Sequence, residues 1–248
     1  SPPSTDSMEI PSRLASEPRV GLTGCMTALD DTVTTAVPGT SIAQRVAALR
    51  ATYRGGATRP LGWRRQQLEA LVSMLEENEG DFQAALATDL GKPVAEGYLT
   101  DIAYVISEAK MMLKNLKKWN KPQRVGTPLV AMPSKSRLVP EPLGVVLVIA
   151  PWNYPIQLLL VPVAGAIAAG NAVVMKPSEV SAATSAVLAR LVPKYLDTSA
   201  IAIVEGGVPE TTELLEQHFD HIFYTGNGTV GRIVMSAAAK NLTPVTLE

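Results

Sequence analysis

From Pro142 to Met175 the chain carries no charged side chain. An apolar stretch of that length is long enough to raise the question of a membrane span, so its punctuation decides what it can fold into. Leu143 to Ala150 is a β-branched run suited to a strand buried on both faces. Pro151, Asn153 and Pro155 end it, because proline fixes its own φ and offers no donor to a ladder. Ile156 to Ala169 reads as a helix of small and apolar residues with Pro162 as a kink point, and Gly170-Asn171 stops it. Ala172 to Met175 is a second buried strand, closed by Lys176-Pro177-Ser178-Glu179. Strand, helix and strand make a βαβ unit with parallel strands and a right-handed crossover. A membrane hairpin over 142–175 is disfavoured, since its prolines and glycines would leave backbone groups unpaired in lipid.

The alternation continues. A helix near 181–195, a strand at Ile201 to Val204, a helix near 209–217 and a strand at His221 to Tyr224 follow. A helix near 229–240 and a strand at Val245 to Leu247 end the series. Strands separated by helices predict an α/β fold with a doubly wound parallel sheet over 143–248. Ligands of such sheets bind beyond the carboxyl ends of the strands, which is where the unusual residues of this chain fall.

Upstream, Ser41 caps a helix with Ile42, Val46, Leu49 and Tyr53 on one face. Trp63 to Glu79 repeats the pattern, Gly80 interrupts it, and Asp81 caps a further turn or two. A longer helix spans about Ala95 to Trp119, with Lys110, Lys114, Lys117 and Lys118 in its last turns, a solvated face suited to the helix dipole. These helices form an N-terminal segment, 41–119. Residues 120–142 hold Pro122, Pro128, Pro133, Pro140 and Pro142 among short apolar runs and read as an extended hairpin around Pro133-Ser134. Residues 1–40, rich in Ser, Thr and Pro, read as a disordered extension.

Twenty-two basic against 23 acidic side chains leave no electrostatic case for nucleic acid. A single cysteine, Cys25, excludes an intrachain disulfide framework and fits a reducing, cytoplasmic compartment. Nothing near Cys25 supplies the base or oxyanion site a nucleophile needs. His218 and His221 have no partners at ligand spacing, so no metal is expected.

Pro151-Trp152-Asn153 after one buried strand and Lys176-Pro177-Ser178-Glu179 after the next resemble the aldehyde dehydrogenase superfamily. EPLGVVLVIAPWNYP is most similar to its class 3 branch, and the resemblance resumes at Tyr224-Thr225-Gly226 and Val245-Thr246-Leu247-Glu248. It covers roughly residues 41 to 248. It implies a Rossmann-like nucleotide domain, oxidation of an aldehyde to its acid with NAD or NADP, and a homodimeric full-length form assembled through the hairpin region. Ser1 and Glu248 are read as cut ends, leaving about the first half of such an enzyme without its cysteine nucleophile. A non-catalytic nucleotide-binding or oligomerising module is the alternative.

Asn153, a neutral amide on a proline-stiffened elbow, suits an oxyanion donor, and the resemblance gives it that role. Glu248 is implied as general base for deacylation. Lys176 and Glu179 read either as a solvated pair or, by resemblance, as a clamp on the adenosine ribose. Gly226-Asn227-Gly228-Thr229-Val230-Gly231 satisfies G-x-G-x-x-G after a strand, though not on the first strand of the unit. The superfamily has Gly-x-Thr-x-x-Gly here. Gly226 and Gly231 match, and Gly228 replaces the Thr. Trp152, Ser178 and Asn227 complete the residues expected to border the cofactor, Trp152 by packing.

Overall fold

A computed structural model describes residues 41–248. The expectations for residues 1–40 and Cys25 lie outside the described residues.

Helix α1, Ile42–Arg54, opens on Ser41, whose hydroxyl accepts from the Gln44 amide while Gln44 Oε1 accepts from the Ser41 N–H. That reciprocal box satisfies two of the otherwise orphaned donors at a helix start. Helices α2 (Leu61–Glu77) and α3 (Glu79–Leu90) are separated at Asn78 rather than Gly80, which lies inside α3. The physical reason is the Asn78 amide: it donates to Met74 O and to the Tyr195 hydroxyl, both at 2.9 Å, and so competes with the helical ladder. Asp81 accordingly caps nothing and pairs with Arg190 at 2.6 Å.

Helix α4 (Val94–Gly97) passes through a π turn, Tyr98–Ile102, into α5 (Ala103–Trp119). The single helix read over 95–119 thus contains one widened turn. Apolar periodicity does not show it, because the turn is set by what Asp101 bonds to. Strands β1 (Gln123–Val125) and β2 (Ser136–Leu138) pair antiparallel as a separate ribbon, with Arg124 opposite Arg137.

Beyond the ribbon come β3 (Val145–Ile149), α6 (Gln157–Ala169), β4 (Ala172–Lys176), α7 (Ala182–Tyr195) and β5 (Ile201–Ile203). They are followed by α8 (Val208–Leu215), β6 (His221–Tyr224), α9 (Gly228–Ala239) and β7 (Val245–Leu247). The five strands lie in the order β5-β4-β3-β6-β7, all parallel, with Leu147 opposite both Val174 and Ile222. Every residue of β3 and β4 is buried. Side-chain alternation divides them between two layers. Val146, Val148, Val173 and Met175 pack under α2, α3, α5, α6 and α7. Val145, Leu147, Ile149 and Val174 pack under α1, α8 and α9. The doubly wound sheet read from the sequence is therefore the fold.

The amino ends of the central strands are stitched shut. Asp220 accepts from the Val145 N–H at 2.8 Å and from Arg50 at 2.7 Å, and Asn171 accepts from the Gly144 N–H at 3.0 Å. The carboxyl ends stay open, and at the β3/β6 boundary the strand order reverses, the switch point where such sheets take ligands.

His221, at the start of β6, sits 3.1 Å from Thr246 Oγ1 on β7, and burial lowers its pKa from 6.5. As pH falls, the unfolded chain takes up this proton first, so stability is lost from about the unfolded pKa down toward the folded one. A urea titration series should show His221→Asn losing less stability than wild type between about pH 7 and pH 5.

Candidate active site

The carboxyl ends of β3, β4, β6 and β7 border one cleft of about 790 Å³. Trp152 and Asn153 line it from the loop after β3, and Lys176, Ser178 and Glu179 from the loop after β4. Gly226 and Asn227 follow β6, and Glu248 follows β7. Eight of the nine residues singled out from the sequence meet here, because each follows a strand of the same parallel sheet. Gly231 does not. It lies within α9, where an added Cβ would make ordinary van der Waals contact with Leu247 and Tyr224 at 3.7 Å.

Asn153 is exposed between Pro151 and Pro155, and among the described residues its carboxamide makes no hydrogen bond. It is thus a donor free to meet a ligand. Trp152 beside it is half exposed. Lys176 is only 2% exposed, which corrects the solvated half of the charge pair: the ammonium is inside and the carboxylate of Glu179 outside. Lys176 Nζ donates to Pro177 O at 2.6 Å and stands 3.6 Å from Glu179 Oε2. An ammonium has three donors, so capacity remains for a ligand in the cleft. Burial lowers the Lys176 pKa, against the pull of Glu179, Glu210 and Glu205.

Ser178 is buried, its hydroxyl accepting from the Val180 N–H at 3.2 Å. Asn227 caps α9, its side chain accepting from Val230 N at 3.0 Å. Its carboxamide holds the helix start in place, where unpaired N–H groups and the helix dipole suit a phosphate. Gly226 has φ +158°, and a Cβ there would overlap the Tyr224 hydroxyl. Glu248 is tied in through its backbone, donating to Tyr224 O and accepting from Gly226 N, both at 3.0 Å.

One residue at the cleft, quoted from the sequence only within Tyr224-Thr225-Gly226, was given no role there. Thr225 lines it, and its hydroxyl is buried without a hydrogen-bond partner. An unpaired buried hydroxyl costs about 1–3 kcal/mol, which a bound polar group would recover. The one available signal was its place, directly after a buried strand and before Gly226. Among the described residues no three His, Cys, Asp or Glu side chains gather as a metal site, and no helix is long and apolar enough to cross a membrane.

A doubly wound parallel sheet with a cleft at its switch point, bordered by polar side chains after its strands, is the architecture of nucleotide-binding α/β proteins. The model of the aldehyde dehydrogenase family matches residues 30–248, and the chain belongs to that family. An aldehyde dehydrogenase of Craterostigma plantagineum is 54% identical over 200 residues, 81% of this chain and 42% of its own length. Aldehyde dehydrogenase family 3 member A2 of Macaca fascicularis is 51% identical over 205 residues, 83% of this chain and 42% of its own. The dimeric, NADP-preferring aldehyde dehydrogenase of Canis lupus familiaris is 48% identical over 207 residues, 84% and 46% of the two chains.

Among solved structures, substrate-bound Staphylococcus aureus AldH superposes with TM-score 0.82 at 42% identity, over 84% of this chain and 45% of that one. Mycobacterium tuberculosis aldehyde dehydrogenase complexed with NAD+ superposes with TM-score 0.71 at 28% identity, over 82% and 42%. The chain therefore spans less than half the length of these relatives.

Proposed function

We propose that this chain supplies the nucleotide-binding half of an NAD- or NADP-dependent aldehyde dehydrogenase of class 3 type. The observation that carries the reading is the convergence of Asn153, Lys176, Glu179, Gly226 and Glu248 on one cleft at the sheet's switch point. The cofactor fits the groups present. Thr225 offers an unsatisfied hydroxyl, Lys176 has spare donors, and α9 begins at the cleft. Glu179 would accept from the ribose hydroxyls, with Lys176 donating beside it. Held there by Glu179, Lys176 and the start of α9, the cofactor would supply the hydride acceptor that oxidation of an aldehyde requires.

The other steps fall to protein groups. Asn153 donates to the oxygen that gains negative charge when a thiolate adds to the aldehyde. Glu248 takes a proton from the water that releases the acid. The described residues contain no cysteine, and nothing in the sequence around Cys25 supplies a base or an oxyanion site, which supports a thiolate from outside this chain. The ribbon exposes Val125 and Leu138 with Leu129 and Val130 between them, which supports assembly through it into a homodimer.

Calorimetric titration of the 248-residue chain should show NAD+ or NADP+ binding that Glu179→Gln weakens about tenfold or more, with no aldehyde turnover. Turnover would sink the missing-thiolate argument, and absence of any nucleotide binding would sink the site. Binding without a contribution from Glu179 would favour a module that uses the fold without this chemistry.

A further inference from the structure

Among the described residues Asn153 has no side-chain hydrogen bond, so its aim depends on how its backbone is held. Two groups hold it, and neither touches the cleft. Asp101, fully buried on the π turn, accepts through Oδ1 from the N–H groups of Ile156 and Gln157, each at 3.2 Å. Its Oδ2 accepts from Lys92 Nζ at 2.7 Å and from the Thr100 hydroxyl at 3.3 Å. The Lys92 side chain is 8% exposed, and its ammonium stands 3.9 Å from the centre of the Tyr154 ring. One ion pair therefore grips the chain at three points shortly after Asn153: residue 154 through its ring, and residues 156 and 157 through their amides.

We propose that Lys92 and Asp101 are positioning residues that fix the Asn153 loop for the reaction. Burying two charges is costly, and a close-packed apolar pair usually holds a fold as well or better. What apolar residues cannot do is grip backbone N–H groups at the start of α6 and an aromatic face at once. The π turn serves the same end, since the one widened turn in the helical segment is the turn that carries Asp101.

The proposal rests on the oxyanion reading of Asn153 for its purpose. Its test reads loop order with no aldehyde present, so the two can fail separately. Amide hydrogen exchange is measured on the 248-residue chain and on Asp101→Asn, Lys92→Met, Lys92→Arg and Tyr154→Leu. In Asp101→Asn and Lys92→Met the amides of Ile156 and Gln157 should exchange about tenfold faster. Amides of β3 and β4 and NAD+ affinity should stay within about twofold, and Lys92→Arg, which keeps both the charge and the ring contact, should restore most of the protection. If Asp101→Asn does not fold, Tyr154→Leu must still speed exchange over 154–157 several-fold, because it removes the ring and spares the pair. Unchanged exchange over 154–157, or acceleration spread evenly along the chain, would reduce the pair to a buried ion pair without a positioning role.

Discussion

Asn153→Ala should lower kcat for aldehyde oxidation by about a hundred- to a thousandfold, the loss typical of removing one oxyanion donor. The measurement is made on a chimera that joins this chain in frame to the part of the Craterostigma plantagineum relative it does not match, once that chimera is seen to turn over aldehyde. The effect should fall on kcat and spare the KM for NAD+, because the amide and the ribose clamp follow different strands. Asn153 is exposed, and among the described residues its side chain makes no hydrogen bond, so its removal should leave the melting temperature unchanged. An effect on kcat below about fivefold would return Asn153 to the ordinary role of an Asn in a turn.

The second large effect is on stability. Gly144→Ala should cost about 3 kcal/mol or more, from a strained φ together with disruption of a part-buried, bonded carboxylate. Gly144 has φ +150°, and a Cβ there would overlap the Asp220 carboxylate. That carboxylate binds the Val145 N–H and Arg50, so moving it loosens α1, β3 and the start of β6 together. Gly165→Ala is the control, because it lies inside α6 and its new Cβ would meet nothing within 4 Å. It should be neutral or gain up to about 1 kcal/mol from helix propensity. Equal urea midpoints for the two variants would contradict the account of the closed end of the sheet.

Most of the sheet could be read from sequence because its strands are short β-branched runs stopped by proline or glycine. Ala172 to Lys176 and His221 to Tyr224 fall where the pattern put them. The site was legible for a related reason: in a parallel sheet, residues far apart in sequence meet if each follows a strand. What stayed hidden depended on partners remote in sequence. Lys176 reads as a surface charge, and only the layers around β4 bury it. Asn78 ends a helix through bonds that include Tyr195, 117 residues away. Asp101 widens its turn to reach amides 55 and 56 residues on. Gly231 fits a phosphate-loop pattern, yet it stands inside α9 and does not line the cleft. Thr225 stands in a quoted motif, yet its unsatisfied hydroxyl could not be read there, because that is a property of its surroundings.

A crystal structure of the chain grown with NAD+ would test the assembled site most directly. The account predicts the adenosine ribose on Glu179, the pyrophosphate near the start of α9, and a polar cofactor atom within hydrogen-bond reach of Thr225 Oγ1. Nucleotide density elsewhere on the molecule, with Glu179 and Thr225 untouched at full occupancy, would contradict it.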